Sequence, residues 1–173
     1  VEFTQKQKEL LFGSLLGDGY LNFRFKENKV ICGIRFTEEH CDKQSEYLKF
    51  KSELLKDKLS KSGLTKRKRN DIRFKNQEFF IHTLRTKSNP ALNEFYELFY
   101  NGRKRKLPSD LTLLTPFALA ILFMDDGHKE LHGYMISMMS FEREDIIRFS
   151  ELLKSRYNLN YNVKKSKRLY IKA

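Results

Sequence analysis

Two apolar runs stand out in the pattern of hydrophobic and polar positions along the chain. Residues 11–19 read Leu-Phe-Gly-Ser-Leu-Leu-Gly-Asp-Gly, and residues 119–127 read Leu-Ala-Ile-Leu-Phe-Met-Asp-Asp-Gly. A surface helix repeats its apolar residues every three or four positions, whereas both of these runs are apolar nearly all round. They therefore predict two buried helices, each of which ends in an acidic residue followed by glycine.

Start signals precede both predicted helices. Thr4 and Gln7 have the spacing of a capping box. Thr115 supplies a favoured N-cap directly before Pro116, and proline is well tolerated at the first helical position.

Gly13 and Gly17 lie four residues apart, on one face of the first predicted helix. Glycine costs about 1 kcal/mol relative to alanine in a helix interior, so the pair predicts that a second backbone approaches closely along this face. The alternative for Gly17 is that it belongs to an unwinding helix end. Ile121 takes the place of Gly13 in the second run, so the packing of the two helices is expected to be asymmetric.

Alternating apolar and polar positions predict strands between the helices. The predicted elements of the first half are strands at 20–26 and 30–37, a helix over 38–59 ended by Gly63, a hairpin of 65–69 and 72–75 around Asn70 and Asp71, and helices over 78–84 and 90–100 ended by Gly102. In the second half the order repeats as a hairpin over 132–139, a helix over 141–156 and a final hairpin over 160–172.

Written as elements, the first half is α-β-β-α-β-β-α, and the second half repeats this order without the last helix. Self-similarity at a long period indicates a duplicated architecture. We therefore predict an α+β fold of two tandem, pseudo-symmetric lobes, the first over residues 1–106 and the second over residues 107–173. A basic block at 103–106 and Leu107-Pro108 join the two lobes.

The composition adds a class of partner to this fold. Lys and Arg number 34 against 22 Asp and Glu, and the isoelectric point is near 9.7. Such an excess is typical of nucleic-acid-binding proteins, with a soluble basic protein as the alternative. Cys32 and Cys41 form no Cys-x-x-Cys pair, which favours a reducing compartment over a disulfide framework. The chain shows no apolar stretch of membrane-spanning length and no signal peptide, and it begins at Val1 without Met.

Two buried helices that pack side by side would bring Asp18 and Asp126 close together. Each carboxylate lies at the negative end of its helix dipole, and adjacent carboxylates repel one another unless a proton or a cation intervenes. Near a basic surface, the cation that suits a few carboxylates together with water and phosphate oxygens is Mg²⁺. This combination indicates hydrolysis of phosphodiester bonds, in which the metal activates water and offsets charge on the leaving oxygen.

The polar faces of the predicted strands supply a candidate DNA-binding surface. A concave sheet that presents Arg, Lys and Asn fits a major groove, where Arg reads guanine and Asn reads adenine, while other basic groups hold phosphates. For any single side chain, an ordinary solvated strand face is the alternative. The candidates are Asn22, Arg24, Lys26, Arg35, Arg67, Arg69, Arg73 and Lys75 in the first half, and Asn160, Asn162, Lys164 and Arg168 in the second.

The two nine-residue runs resemble the signature motifs of the LAGLIDADG homing endonucleases. The sequence Met-Asp-Asp-Gly that ends the second run, and Leu-Thr-Pro before its helix, are similar to the single-chain branch that carries both motifs. The resemblance covers nearly the whole chain. It implies saddle-shaped antiparallel sheets joined by the two packed motif helices. It also implies a monomeric endonuclease that cuts both strands of a long asymmetric double-stranded DNA site, with Mg²⁺ as cofactor and Mn²⁺ as a substitute for it.

The resemblance also implies roles for individual residues. Asp18 and Asp126, at the eighth motif position, correspond to the catalytic acids that bind the metal. Gly17 and Asp125 occupy the seventh position beside the metal; the family prefers a small residue there, so Asp125 is interpreted as a helix-end group or as a support for the metal ligands. Arg105 and Lys106, just before Leu-Pro, match approximately a basic residue that assists catalysis in relatives.

Other functions stay open on the same scaffold. One is an RNA maturase that helps an intron fold, and another is a DNA-binding relative that has lost cleavage. Asp18 and Asp126 favour the nuclease, because an RNA binder has no need of paired metal ligands. His128 and His132 would suit zinc only on a helix, and His40 would join Cys32 and Cys41 only by an accident of folding. The predicted location is intracellular, either in an organelle (mitochondrion or chloroplast) or in the cytoplasm of a bacterium or phage host.

Overall fold

The computed structural model of the chain describes residues 2–26, 29–30, 33–69 and 78–172. The predictions at Cys32, Asn70, Asp71, Arg73 and Lys75 fall outside the described residues, and so does the side chain of Lys26. Within the described ranges, the helices are α1 (Gln5–Leu16), α2 (Ser45–Leu54), α3 (Leu92–Phe99), α4 (Pro116–Asp126) and α5 (Arg143–Tyr157), with 3-10 turns at Asp42–Gln44 and Lys56–Lys58.

Two four-stranded antiparallel sheets share one topology. The strands are β1 (Tyr20–Asn22), β2 (Phe25–Lys26), β3 (Lys29–Val30), β4 (Arg35–Cys41), β5 (Leu59–Arg69), β6 (Phe79–Thr86), β7 (Tyr100–Asn101), β8 (Lys104–Arg105), β9 (Gly127–Glu130), β10 (Gly133–Ser137), β11 (Tyr161–Val163) and β12 (Arg168–Lys172). The first sheet has the order β1-β4-β6-β5, and the second, taken in the same direction, has the order β9-β10-β12-β11. The predicted α+β fold with tandem pseudo-symmetric lobes is therefore confirmed.

The two motif helices α1 and α4 pack directly against each other. The predicted start signals are confirmed: Thr4 and Gln7 form both halves of a capping box, and the Thr115 side chain accepts a hydrogen bond from the Ala118 N–H. Residues 10–16 of α1 are buried, as predicted for an all-round apolar helix. The same prediction is wrong in part for α4, where only Ala118, Ile121 and Leu122 are buried and Met124 is 53% exposed.

Glycine allows the close approach of these helices, as predicted. A Cβ atom added to Gly13 would lie 2.4 Å from the Ala118 carbonyl oxygen and 2.8 Å from the Ile121 Cβ. A Cβ added to Gly17 would lie 2.5 Å from the Asp125 Cβ. Residues at the same motif position thus face each other across the interface, with the small residue on α1 and the larger one on α4. Gly17 is also the C-cap of α1, so both interpretations of this glycine hold.

Two predicted helices of the first half are wrong in whole or in part. The predicted helix over 38–59 begins only at Ser45, because residues 38–41 continue β4 as a strand with Glu38 and His40 on its buried face. The predicted helix over 78–84 is strand β6, which lies between β4 and β5 and takes hydrogen bonds from both. A short mixed run can form either structure, and here the pairing partners on both sides decide for the strand.

The structure also places Gly63 and the start of the second-half hairpin differently from the sequence-based prediction. Gly63 lies inside β5, next to a register shift between Leu59 and Leu64, instead of ending a helix; glycine inside a strand commonly marks such an irregularity. The hairpin predicted over 132–139 starts earlier, because β9 begins at Gly127 directly after α4. The helix near 141–156 and the final hairpin are confirmed as α5 and as β11 with β12.

Helix α3 covers a face of the first half that stays open in the second. Phe95 and Phe99 of α3 make edge-to-face ring contacts with Phe3 and Phe12, with centroids 6.5 and 5.2 Å apart. In the second half, the corresponding face of α4 borders an apolar cavity of about 550 Å³. None of the helices in the described ranges combines the length and the hydrophobicity that crossing a membrane requires.

Candidate active site and nucleic-acid interface

The two motif acids lie at the adjoining ends of α1 and α4. Asp18 follows α1 with a side chain that is 40% exposed, and Asp126 is the last residue of α4. Burial raises the pKa of Asp126 to about 6, and the negative charge of Asp18 adds to this rise. Burial also raises the pKa of Asp18, against the opposing charge of His40. The Asp18 N–H lies 3.4 Å from the Asp125 Oδ2, so Asp18 contacts the residue that directly precedes Asp126.

Asp125 belongs to a buried ion-pair network, although it comes from the exposed end of α4. Its Oδ1 accepts a hydrogen bond from the Lys51 ammonium at 2.8 Å and another from the Tyr47 hydroxyl at 2.8 Å. Its Oδ2 accepts a long hydrogen bond, 3.4 Å, from the Asp18 N–H. Burial raises the pKa of Asp125 to about 7, with the negative charge of Glu38 adding to the rise.

Lys51 is the centre of this network. Its ammonium donates to Asp125, to the Glu38 Oε1 at 2.5 Å and to the Ser14 Oγ at 2.9 Å. An ammonium has three protons, so all of its donors are used, and none of the Lys51, Glu38 and Asp125 side chains is exposed. A buried charge needs such complete pairing, because an unpaired one is strongly destabilising. Residues from α1, α2, β4 and α4 supply the network, which is why no single stretch of sequence reveals it.

His40 links the network to Asp18. Its Nε2 lies 2.6 Å from the Glu38 Oε1, and its Nδ1 lies 3.2 Å from the Gln44 Oε1 and 3.7 Å from the Asp18 Oδ2. Burial lowers the pKa of His40, but the hydrogen bond and the charge of Glu38 outweigh burial and raise it overall. Likewise, burial works to raise the pKa of Glu38, and the bonds from His40 and Lys51 lower it overall.

One group in the described residues has the spacing of metal ligands. Asp18, His40 and Asp125 each offer a ligand atom, and these atoms lie within 4.8 Å of one another. Both acids are predicted from the sequence, whereas His40 is considered there only together with Cys32 and Cys41. The helix predicted over 38–59 also hides the inward-facing position of His40 on β4. The signal that could have found it is the continued alternation of Ile34 and Phe36 through residues 38 and 40, on the inner face of β4.

Of the predicted basic pair, Arg105 lies at the site. Its guanidinium donates to the carbonyl of Leu15 and, at 2.9 Å, to that of Gly17, so it caps the negative end of α1. Burial lowers the pKa of Arg105, while the charges of Asp126, Asp18 and Asp125 counteract this. Lys106 is exposed, and in the described residues only Arg105 of the pair contacts the motif helix.

The register of the first sheet places the predicted polar residues on one face. Asn22 pairs with Arg35, and Thr37 pairs with both Tyr20 and Arg85, so these side chains share the face opposite the core. A cavity of about 340 Å³ opens on this face, lined by Asn22, Arg24, Gly33, Arg35, Arg85 and Ser88. Sequence analysis missed Arg85, because the segment up to residue 84 was read as a helix. Within the described residues, the buried Nε of Arg85 has no hydrogen-bond partner.

Farther along the same face, Arg67 and Arg69 of β5 are exposed as predicted. The Arg67 guanidinium lies 3.0 Å from the Glu39 Oε1, which also accepts a hydrogen bond from the Thr83 hydroxyl at 3.0 Å. Glu39 is a second residue that the sequence analysis missed, because the helix predicted over 38–59 hid its outward-facing position on β4.

The second sheet presents a matching polar face. Asn162 pairs with Tyr170 of β12, and Arg168 pairs with Ser137 of β10. Asn160, Asn162, Lys164 and Arg168 are all exposed, as predicted. His128 lies on strand β9 with its Nε2 3.0 Å from Glu130. The helical spacing that zinc binding by His128 and His132 would need is therefore absent from this described segment.

Comparison with known proteins gives a consistent result. A family model described as "LAGLIDADG DNA endonuclease family" matches residues 8–172. The DNA endonuclease I-ChuI of Chlamydomonas applanata is 31% identical over 176 residues, which cover 95% of this chain and 79% of that protein. The cytochrome b mRNA maturase bI2 of Debaryomyces hansenii is 28% identical over 172 residues, covering 91% of this chain and 59% of that protein.

A solved structure supports the same fold. The homing endonuclease I-WcaI, bound to its DNA recognition sequence, superimposes with a TM-score of 0.82 at 21% identity, covering 99% of this chain and 77% of that one. The match of the family model over almost all of the chain, with the two motif helices packed as described, leads to one assignment. This chain belongs to the LAGLIDADG DNA endonuclease family.

Proposed function

We propose that this chain is a site-specific endonuclease, which binds a long asymmetric site in double-stranded DNA and hydrolyses one phosphodiester bond in each strand. The observation that carries the proposal is the convergence of Asp18 and Asp126 at the ends of two packed helices, in a chain whose two sheets expose Arg, Lys and Asn. The similarity to the DNA endonuclease I-ChuI over most of both chains supports it. A single chain with two such halves suits an asymmetric target, and we propose that it acts as a monomer.

The residues at the helix ends fit a hard divalent cation. Burial raises the pKa of both Asp126 and Asp18, and the charge of Asp18 adds to the rise at Asp126; a cation between the two acids would relieve this repulsion. We propose that Asp18 and Asp126 hold Mg²⁺, for which Mn²⁺ can substitute, with Gly17 and Asp125 beside it. When bound, such an ion activates a water molecule and offsets charge on the leaving oxygen.

The neighbouring cations of the chain have separate tasks in this proposal. Arg105 is hydrogen-bonded to the carbonyls at the end of α1. From there it would stabilise negative charge that develops on a phosphate bound beside Asp18 and Asp126. We keep Lys106 as a weaker candidate, because it is exposed and would have to reorient. Lys51 acts indirectly, because it holds Asp125 in place and neutralises part of the buried negative charge.

The polar sheet faces would carry the DNA. Arg and Lys side chains along β4, β5 and β12 would neutralise phosphates, and the side chains nearest the groove floor would read base edges. We add Arg85 and Glu39 to the predicted DNA-contacting residues. Glu39 is included because a carboxylate can accept a hydrogen bond from the cytosine amino group. We also propose that the two lobes meet between residues 106 and 107, after β8 and before α4.

Substituting the motif acids tests the proposal. A duplex target is first selected from a randomised DNA pool by cleavage in Mg²⁺ with the unaltered chain. Asp18→Asn and Asp126→Asn are then expected to abolish double-strand cleavage while leaving affinity for that duplex largely intact, because the metal ligands are lost but the sheet faces remain. Asp110→Asn, at an exposed aspartate bound to Thr112, is the matched control. Cleavage of both strands at an unchanged rate by either motif variant would overturn the assignment.

A maturase role is the second candidate, because the maturase from Debaryomyces hansenii is similar over 91% of this chain. The same protein preparation can be assayed for binding to structured intron RNAs and for promoting their splicing. Tight RNA binding with no DNA cleavage at any Mg²⁺ or Mn²⁺ concentration would favour the maturase. The cellular compartment, whether an organelle or the cytoplasm of a bacterium or phage host, stays a prediction.

A further inference from the structure

We infer that His40 is a nitrogen ligand of a divalent ion at Asp18, so that the two halves of the site hold chemically different metal positions. The inference rests on the proposed metal role of Asp18 and goes beyond it, because the motif acids alone would supply oxygen ligands only. It is drawn from the placement of one buried histidine and from its replacement by methionine in the other half.

The distances leave room for an ion between His40 and Asp18. The His40 Nδ1 and the Asp18 Oδ2 are 3.7 Å apart, which is too long for an N–H···O hydrogen bond, typically about 2.9–3.0 Å. Asp125 brings a third ligand atom, and all three lie within 4.8 Å of one another. Metal–ligand bonds to His nitrogen and carboxylate oxygen are about 2.0–2.2 Å, so small side-chain movements would complete such a site.

The hydrogen bond on the other side of the ring orients His40 for this role. Its Nε2 lies 2.6 Å from the buried Glu38 carboxylate, which can only accept, so Nε2 carries a proton. The Nδ1 then faces oxygen atoms of Asp18 and Gln44, and either a proton or a metal ion must satisfy it. Histidines that bind metals commonly donate their second N–H to a carboxylate in this way.

The surroundings hold the ring rigidly while leaving one side of the site open. The His40 side chain is 1% exposed and that of Glu38 is 0% exposed. The Tyr47 ring packs edge-on against the imidazole with centroids 5.6 Å apart. Asp18, by contrast, is 40% exposed, so water or a phosphate can reach the ion from that side.

The second half has no equivalent of this histidine. Glu38 pairs with Leu84 on β6, and Ile136 pairs with Leu169 on β12, so equal positions in the two sheets align Glu38 with Ile136 and His40 with Met138. Both apolar residues are 1% exposed. A thioether is a soft ligand and suits hard cations poorly, whereas imidazole favours Mn²⁺, Co²⁺ and Zn²⁺ over Mg²⁺. The ion on the first half should therefore prefer transition metals, and the ion on the second half should not.

Pulsed electron paramagnetic resonance of the Mn²⁺-loaded chain tests this. We expect a nitrogen coupling on part of the bound Mn²⁺, and we expect it to change when the protein is labelled with ¹⁵N-histidine. His40→Gln should remove the coupling and weaken one class of Mn²⁺ site about tenfold or more, as changes around metal-bound histidines do, while Mg²⁺ binding changes less. His128→Gln, at an exposed histidine two residues after Asp126, is the control and should leave the coupling intact.

The outcomes separate this inference from the proposed function. If Asp18→Asn abolishes Mn²⁺ binding but the unaltered chain shows no nitrogen coupling, His40 is not a ligand and the metal role of Asp18 stands. If Asp18→Asn leaves Mn²⁺ binding unchanged, the proposed metal role itself fails. The isotope labelling needs no substitution at His40, so a His40→Gln variant that does not fold leaves the test decisive. A coupling that persists in a folded His40→Gln variant would overturn the inference.

Discussion

The two halves of the molecule share one sheet topology but differ in the polarity of the residues buried at matching positions. The first half buries Ser14, Glu38, His40 and Lys51, and the residues at matching positions in the second half are Leu122, Ile136, Met138 and Phe149. The match extends to the helices: the buried residues Leu48, Lys51, Ser52 and Leu55 around α2 have the same spacing as Ile146, Phe149, Ser150 and Leu153 of α5. The fold therefore does not require the buried charges, since one half forms without them.

This difference between the two interiors shows where the buried polar groups act. Lys51 on α2 holds Asp125, and Asp125 belongs to α4, the motif helix of the other half. The polar network thus joins the two halves directly beneath the helix ends that carry Asp18 and Asp126. Its members depend on one another, because a partly satisfied buried network is worse than an apolar one. Five predictions test how the two halves differ.

The largest effect is expected from Lys51→Met. This change removes the ammonium but keeps most of the stem, and it leaves Glu38 and Asp125 buried without their shared donor. Removing one partner of a buried ion pair costs about 3–5 kcal/mol, and urea unfolding measures the loss. The matched change Phe149→Met on α5 retains a large apolar side chain and should cost about 1.5 kcal/mol or less.

A combined variant sharpens the same point. Ser14→Leu, Glu38→Ile, His40→Met and Lys51→Phe copy residues of the second half into the first. Asp125→Gly removes the remaining buried acid by giving α4 the residue that α1 has at the same motif position, Gly17. Its free energy of unfolding should exceed that of Lys51→Met, because no unpaired buried charge of the network remains, although the metal ligands proposed at His40 and Asp125 are lost. A combined variant less stable than Lys51→Met would show that the two interiors are not interchangeable.

Gly13→Ala should have the next largest effect, through the interface of the two motif helices. The new Cβ would overlap the Ala118 carbonyl oxygen and the Ile121 Cβ, and overpacking costs about 1–3 kcal/mol. Ile121→Val at the facing position of α4 removes one methyl group and should cost only about 0.5–1.5 kcal/mol. Thermal unfolding of both variants measures the asymmetry, and equal losses would argue against close helix approach at Gly13.

The pH dependence of stability should reveal the raised pKa of Asp126. Burial, with the Asp18 charge adding to it, raises its pKa from 3.8 to about 6, so between these values the folded chain binds more protons than the unfolded chain. Stability then falls as the pH rises through this window. Without divalent metal, the free energy of unfolding of the unaltered chain relative to Asp126→Asn should therefore decrease from about pH 4 to pH 6. Mg²⁺ should oppose the loss above this range, and a difference independent of pH would contradict the raised pKa.

The smallest effect on stability is expected from Arg67→Ala on the outer face of the first sheet. The ion pair with Glu39 is partly exposed, and such pairs contribute about 0–1 kcal/mol. Binding to the selected duplex should nevertheless weaken, and its slope against the logarithm of salt concentration should fall by about one if Arg67 contacts a phosphate. Lys164→Ala makes the same comparison on the second sheet. An unchanged salt slope in both variants would remove these faces from the proposed DNA surface.

Much of this architecture follows from local pattern. The capping box at Thr4, the Thr115-Pro116 start of α4, the two acids at the helix ends and the alternating faces of β1, β11 and β12 depend on residues close together in the chain. Helical and strand periodicity report such arrangements directly. The duplication is predicted because the same order of local signals occurs in both halves. The close packing at Gly13 and Gly17 is predicted from their spacing in the first half.

Tertiary structure alone decided the rest. Glu38 and His40 are residue types usually found at the surface, yet they face inward on β4. Glu38 binds both His40 and Lys51, and the Lys51 ammonium is held in turn by Ser14 and Asp125 from two other helices. Arg85 and Glu39 face the outer surface because of the register between β4 and β6, in which Arg85 pairs with Thr37 and Glu39 pairs with Thr83. Burial of a charge depends on whether a partner distant in the sequence can satisfy it, and no local pattern contains that information.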